Sequence, residues 1–177
     1  CPIYVLEIER MLTFLRRSMV REAMAGKKDE RSLPFSAALA LQCFTNEYVY
    51  PETVEEKAAV ERLQQRIAEL VERQRDVPPS FVAALGAYRP LHEFPWAREL
   101  SEREWAGGIK EVIERQISEP LEEWSLRSRT PRLTSIEDAV SQSVREQYEE
   151  NPYPRWIKTG LAYKSKSIGA VLRGSPL

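Results

Sequence analysis

The sequence has few of the residues from which many catalytic and structural sites are built. Two cysteines and one histidine in 177 residues cannot form a disulfide framework, nor a zinc site of cysteine and histidine ligands. The seven glycines form neither a G-x-G-x-x-G pattern nor a phosphate loop, so the usual backbone cradle for a nucleotide is missing. Catalytic triads that need a second histidine are also excluded.

Long apolar runs and an excess of either charge are absent as well. No window reaches the roughly 18 apolar residues of a membrane-spanning helix, and Glu7 and Glu9 lie where a secretory signal would be uncharged. The formal net charge is −1, so no overall field attracts nucleic acid or an anionic membrane. We therefore expect a cytoplasmic protein without a membrane partner.

What the sequence does contain is the periodicity of helices. Apolar residues recur at steps of three and four, and no segment shows the alternation of a hairpin strand. The pattern predicts an all-α fold, an irregular bundle of about six helices with an extended basic C-terminal segment. The expected helical segments are 3–25, 35–50, 53–71, 80–88, 101–127 and 134–150.

Three of these segments open with a capping box, in which a hydroxyl and a carboxylate each satisfy a free backbone donor. The boxes are Thr53–Glu56, Ser101–Glu104 and Thr134–Glu137. In the first helix, the spacing predicts an inward-facing stripe, composed of Ile8, Met11, Leu12, Leu15, Met19 and Ala23. Pro120 is expected to kink or restart the segment 101–127.

Composition changes after residue 150. Residues 1–150 carry 21 basic and 27 acidic side chains, whereas 151–177 carries five basic and no acidic ones. We expect a helical domain over 1–150, followed by a proline-rich connector and basic tail over 151–177. Five charges in 27 residues make a weak patch, so a nucleic-acid contact through Trp156 and Tyr163 is disfavoured.

The two side chains that could be reactive on their own, His92 and Cys43, are better explained by structural roles. His92 is the only imidazole, and we interpret it as a loop or packing histidine rather than a general base. Cys43 falls on an apolar helical stripe, where a small buried side chain is favoured over a reactive thiol. Accordingly we predict no catalytic residue and no metal ligand in this chain.

The segment 147–156, QYEENPYPRW, is the densest in recognition chemistry. Its two prolines stiffen the backbone, and its amide, phenol, guanidinium and indole groups suit a polar or planar ligand. The groups come from Asn151, Tyr153, Arg155 and Trp156, which are the candidate ligand-facing residues. On the residues alone, an aromatic hinge packed on the helices and a docking loop both stay open.

This same string resembles a signature of bacterial class I S-adenosylmethionine-dependent methyltransferases, many of which carry tetratricopeptide repeats before the catalytic domain. Three other blocks are similar to the family's motifs. They are QCFTNEY within 38–50, YRPL within 87–91 and EPLE within 118–123. The resemblance covers roughly residues 5–177.

The resemblance implies a helical region that precedes the catalytic domain. The family's glycine-rich strand follows the segment that resembles 164–177, and the chain begins with Cys1 rather than Met, so we expect a piece of a longer protein. A methyltransferase domain in the same protein would be its partner. S-adenosylmethionine is implied for that complete protein but not for this chain alone, and the methyl acceptor is not identified.

In the complete protein, the resemblance implies a cap and substrate-recognition region in which the segment 148–156 lies at the cofactor and substrate cleft. The residues that face this cleft would be Tyr148, Asn151, Tyr153, Arg155 and Trp156. Asn46, Glu47 and Tyr48 would support that segment by hydrogen bonds. The alternative for these three residues is the C-terminal cap of a helix.

A second hypothesis is a protein-interaction or dimerisation module anchored by exposed Trp96, Trp105 and Trp124. Of these, Trp105 is the one expected to pack in the core.

Overall fold

Every regular element that the structure describes is helical. The computed structural model describes residues 5–26, 31–127, 129 and 138–150, and within them there is no strand. The predicted all-α class is therefore confirmed. The chain divides into two compact units, Cys1–Pro131 and Arg132–Leu177. The sequence prediction put its boundary after residue 150, and the predicted connector and basic tail, 151–177, lie outside the described residues.

Among the described residues, seven α-helices lie in the first unit and one in the second. They are α1 (Leu6–Met24), α2 (Leu33–Thr45), α3 (Val54–Glu72), α4 (Pro79–Gly86), α5 (Ala97–Ser101), α6 (Gly107–Ile113), α7 (Glu119–Arg127) and α8 (Ala139–Glu150). A 3₁₀ turn, Leu91–Glu93, precedes α5, and a π-helical turn, Glu114–Ser118, joins α6 directly to α7. This π turn lies just before Pro120, where the sequence predicted a kink.

Helix α3 forms as its sequence predicts. The Thr53 hydroxyl accepts a hydrogen bond from the Glu56 backbone N–H at 3.2 Å, and the Glu56 carboxylate accepts one from the Thr53 N–H at 2.9 Å. This is the predicted capping box. The apolar stripe that follows is buried, and it consists of Ala59, Val60, Leu63, Ile67 and Val71.

Two other helix starts differ from the prediction. The prediction of a capping box at Ser101–Glu104 is wrong, because Ser101 is the last residue of α5 and its hydroxyl donates to the Arg98 carbonyl at 2.7 Å. Helix α6 begins only at Gly107, whose φ of 55° starts the chain in a new direction. The third predicted box lies outside the described residues, and α8 is capped instead by Asp138, whose carboxylate accepts from Ser141 N at 2.8 Å.

The core is centred on α4, whose residues 82–86 are all buried. Helix α4 packs against α1, α2 and α3, and α2 also packs against α6. The last contact is unusually close, because a Cβ added at Gly108 would lie 2.9 Å from the Ala37 Cβ. Glycine at this position therefore lets α6 approach α2.

The buried face of α1 differs in part from the face that the sequence predicts to be buried. Leu12 and Ala23 are buried as expected, but Ile8 and Met11 are exposed, at 37% and 51%. The position between the predicted apolar ones is taken by Arg16, which is fully buried. The predicted stripe was wrong at Ile8 and Met11 and omitted Arg16, because it was composed of apolar residues alone.

Arg16 is accommodated by carbonyl oxygens and an aromatic ring. Its Nη2 donates to the carbonyls of Tyr50 at 3.2 Å and Pro51 at 2.9 Å. Its guanidinium carbon lies 4.1 Å from the centre of the Tyr88 ring, a cation–π contact that strengthens when it is shielded from water.

The Tyr88 hydroxyl continues this contact to a buried carboxylate. It donates to Glu56 at 2.7 Å, and Glu56 also pairs with Arg17 at 3.1 Å. Burial raises the pKa of the Glu56 carboxyl, but the hydrogen bonds from Thr53, Tyr88 and Arg17 outweigh it and leave the pKa below its ordinary value of 4.5. One carboxylate thus joins α1, α3 and the end of α4.

We predict that this carboxylate contributes to acid sensitivity. A group whose pKa is lowered on folding stabilises the fold above its unfolded pKa, and that stability is lost as the pH falls through the lowered pKa. Glu56→Gln should reduce the free energy of unfolding at pH 7 by about 1–3 kcal/mol and make the acid limb of stability against pH shallower. Urea unfolding between about pH 3 and pH 7 measures both effects.

The matched control is Glu61→Gln, the same change at an exposed position of the same helix. It should alter stability by no more than about 0.5 kcal/mol at any pH. A Glu56→Gln curve that runs parallel to the wild-type curve would contradict the assignment.

Candidate functional site

The candidate site begins where α2 ends. Tyr48 N–H bonds to the Cys43 carbonyl at 2.9 Å and Glu47 N–H to the Phe44 carbonyl at 3.3 Å, which is the pattern of a Schellman motif. Glu47 and Tyr48 have φ angles of 56° and 55°. Non-glycine residues in this left-handed region cost roughly 1 kcal/mol each, so other contacts must hold the turn.

One such contact is the buried side-chain amide of Gln116, in the π turn. Its Nε2 donates to the carbonyls of Ala40 at 3.1 Å and Gly86 at 3.0 Å, and its Oε1 accepts from the Tyr48 hydroxyl at 3.4 Å. The amide therefore joins α2, the end of α4, the α2 terminal turn and the π turn. A Cβ at Gly86 would lie 3.1 Å from Oε1, so glycine leaves room for the amide.

The backbone carbonyl of Gln116 has its own partner. Its α-helical donor would be residue 120, which is proline and has no N–H. The His92 Nδ1 lies 3.2 Å from this carbonyl oxygen. Because a carbonyl only accepts, Nδ1 carries the hydrogen, and the imidazole is oriented by the main chain. His92 thus has the packing role favoured by its sequence context.

Asn46 closes the turn on its other side. Its amide faces the carbonyls of Gln42 and Cys43 and the hydroxyl of Tyr50. With the amide nitrogen on the two carbonyls, at 3.3 and 2.7 Å, and the oxygen accepting from Tyr50 at 3.3 Å, all three groups are satisfied. Asn46 is the residue after the last one of α2. The turn therefore serves as the helix C-terminal cap that was one of its two interpretations.

Cys43 lies beneath this turn as an unreactive group. Its side chain is fully buried, and burial raises the pKa of the thiol to about 12, against a smaller lowering by Arg16. The thiol is protonated at neutral pH and is a poor nucleophile. The prediction of a small buried side chain is confirmed.

The predicted site residues fall into three sets: one at the end of α2, one in α8 and one outside the described residues. Asn46, Glu47 and Tyr48 lie together at the end of α2. Tyr148 lies in α8, in the second unit, with 65% of its side chain exposed. The other four candidates lie outside the described residues, and they are Asn151, Tyr153, Arg155 and Trp156.

Sequence reasoning missed the part played by Gln116. A glutamine in an amphipathic helix is usually assigned to the surface. A signal was present nevertheless, because a proline four residues later leaves the Gln116 carbonyl without a helical partner. Such a helix needs a local irregularity, and π turns are frequent at functional sites.

The tryptophans do not form one exposed set. Trp96 is 8% exposed and stacks on Phe94 with ring centres 4.6 Å apart, so its predicted role as an exposed anchor is wrong. Trp105 is half-buried and its Nε1 donates to the Leu100 carbonyl at 2.7 Å, in line with its expected core packing. Trp124, in α7, is 76% exposed.

Metal-ligand clusters and membrane-spanning helices are absent from the part of the chain that the structure describes. It contains no group of three or more His, Cys, Asp or Glu side chains that could hold a metal ion. It also contains no helix with the length and apolar content to span a membrane.

We predict that the Gln116 amide has a large effect on stability. Gln116→Leu keeps a similar volume but removes the donors to Ala40 and Gly86, leaving two buried carbonyls without these partners. The free energy of unfolding should fall by about 2–4 kcal/mol, since each buried polar group left unpaired costs about 1–3 kcal/mol. Urea unfolding followed by circular dichroism measures this loss.

Gln65→Leu provides the control, because Gln65 is exposed on α3. It should change stability by less than about 0.5 kcal/mol. If the two substitutions changed the free energy of unfolding equally, the hydrogen bonds of the buried Gln116 amide would not be stabilising the fold.

Comparison of the chain with known protein families, with curated proteins and with solved structures finds no match.

Proposed function

We propose that this chain is the helical cap and substrate-recognition region of an S-adenosylmethionine-dependent methyltransferase-like protein, and that it is not catalytic by itself. The methyltransferase domain of the same protein would hold S-adenosylmethionine and be the partner of this region. The methyl acceptor would enter between the two parts, against the segment 148–156.

The observation that carries the proposal is the convergence of separate blocks that resemble the family. QCFTNEY ends α2, YRPL follows α4, and EPLE follows the π turn. Tyr48 of the first block bonds to Gln116, three residues before the third. Gln116 also bonds to Gly86, two residues before the second block.

An ion pair strengthens the link between the first two blocks. Arg89, in YRPL, meets Glu52 through two hydrogen bonds of 2.5 and 2.9 Å, and Glu52 lies four residues after Tyr48. A bidentate pair of this kind fixes direction as well as distance. Blocks far apart in the chain are thus built into one rigid support, as a preorganised recognition surface requires.

The test uses two proteins, this chain and a longer protein in which it is followed by the proposed methyltransferase domain. Titration calorimetry with S-adenosylmethionine should detect no binding by this chain. In the longer protein, Tyr153→Ala and Arg155→Ala should lower kcat/KM for methyl transfer at least about tenfold, which corresponds to a loss of about 1.4 kcal/mol in transition-state binding. Their assembly state should match that of the wild type.

Trp124→Ala is the matched control, an aromatic truncation at an exposed residue outside the segment. It should leave methyl transfer within about twofold of the wild-type rate. Tight binding of S-adenosylmethionine by this chain alone would contradict the proposal. So would a longer protein in which the two substitutions have no more effect than the control.

A second candidate function is a protein-interaction module. One observation favours it: in α7, the large side chain of Trp124 is 76% exposed. Large aromatic side chains are frequent anchors of protein interfaces. In this case Trp124→Ala would abolish partner binding, whereas Tyr153→Ala and Arg155→Ala would not.

A further inference from the structure

Helix α1 has more apolar surface than its packing in the first unit covers. Its buried face runs through Leu12, Arg16, Val20 and Ala23. Phe14 is 63% exposed, and at 100° per residue it points about 160° away from the centre of that face. Met11, 51% exposed, lies beside it. A helix with apolar residues on opposite sides is typical of one that is buried on both.

The exposed side has the spacing of a coiled-coil seam. Its residues follow one another at alternating steps of four and three, and they are Glu7, Met11, Phe14, Ser18 and Arg21. Ser18 is half-buried and the other four are exposed. Between a charged residue at each end, the seam therefore has two exposed apolar residues, Met11 and Phe14, and the half-buried Ser18.

The two end charges are opposite and equally distant from Phe14. Glu7 and Arg21 each lie seven residues from it, about 10.5 Å along the helix axis. In an antiparallel pair of α1 helices with a two-fold axis at Phe14, Glu7 faces Arg21 of the partner subunit, and the same contact occurs twice. In a parallel, in-register pair, Glu7 would face Glu7 and Arg21 would face Arg21, so the charges would repel.

We propose that this seam is a self-association surface, on which α1 pairs antiparallel with α1 of a second copy of the chain. The self-complementary charges are what favour a second copy over an unrelated partner. The Phe14 side chains of the two copies meet at the axis, and Met11 flanks them. The inference does not depend on the proposed role in methyl transfer.

Among the residues that the structure describes, Glu55 competes for Arg21. The pKa of Glu55 is lowered by its own backbone N–H and by Thr53, with smaller contributions from Arg17 and Arg21. Glu55 and Arg21 are both exposed, and water screens such an attraction strongly. Arg21 remains able to pair across the two-fold axis.

One helix from each copy makes a small interface, so the dimer should be weak and dependent on concentration. Sedimentation equilibrium on the full chain, from about 5 to 500 µM, should show a monomer that converts to a dimer with a dissociation constant of tens of micromolar. Phe14→Glu should abolish the dimer over this range. Trp124→Glu, a charge at an exposed aromatic residue of α7, should leave it unchanged.

Charge reversal separates a second copy from any other occupant. Glu7→Arg alone and Arg21→Glu alone each create two like-charge contacts, and each should weaken the dimer about tenfold. The double variant restores both opposite-charge contacts and should recover wild-type affinity within about threefold. Only self-pairing predicts this recovery, and circular dichroism verifies that each variant remains folded.

Three results would overturn the proposal. The first is a wild-type chain that stays monomeric at every concentration, which would leave the seam to a different partner. The second is a double variant that associates no better than the two single variants. The third is a dimer that survives Phe14→Glu but not Trp124→Glu, which would move the interface to α7.

Discussion

The fold depends on Pro120, which has no backbone N–H to donate to the Gln116 carbonyl. This proline lies inside a helical stretch that runs from Gly107 to Arg127. The helix widens into a π turn just before it, where the Glu119 N–H bonds to the Glu114 carbonyl. Gln116 lies in this turn with its amide fully buried, while His92 bonds to its carbonyl. A local defect in one helix thus becomes the junction of several elements.

The two buried polar centres stabilise the first unit in different ways. The Gln116 amide uses both of its hydrogens and its oxygen, so its burial costs little and its directional bonds select one packing arrangement. Arg16 is less completely satisfied, because its Nε and Nη1 have no hydrogen-bond partner among the described residues. Its charge relies on two carbonyls and on the Tyr88 face, whose hydroxyl is held by Glu56. Replacing any one of these groups therefore leaves another of them poorly placed.

Sequence patterns predicted the all-α class and helix α3, but they missed the boundary between α5 and α6 and both buried polar centres. The apolar period and the Thr53 capping box predict α3 well, because both depend on residues within a few positions of one another. The inward turn of Arg16 depends on carbonyls at Tyr50 and Pro51, more than 30 residues away. No local pattern encodes that distance, so the face of α1 was misjudged.

The same limit applies to the candidate site. The cluster Asn46–Tyr48 was predicted as a support, and the alternative, a helix cap, was also stated; the structure shows the cap geometry directly. What the sequence could not show is why Glu47 and Tyr48 adopt a left-handed backbone that glycine would adopt more easily. One of the contacts that hold this turn comes from Gln116, 68 residues beyond Tyr48, whose amide oxygen accepts from the tyrosine hydroxyl.

This arrangement makes the position of Tyr48 and the direction of α7 depend on the same side chain. The strain of the turn, roughly 1 kcal/mol for each left-handed residue, is comparable to the stabilisation that a single hydrogen bond provides. The Gln116 contact holds this conformation together with the Schellman hydrogen bonds and the Asn46 amide. The Tyr48 hydroxyl and the π turn are joined through the Gln116 amide. The end of α2 and the π turn that precedes Pro120 are therefore linked through Gln116.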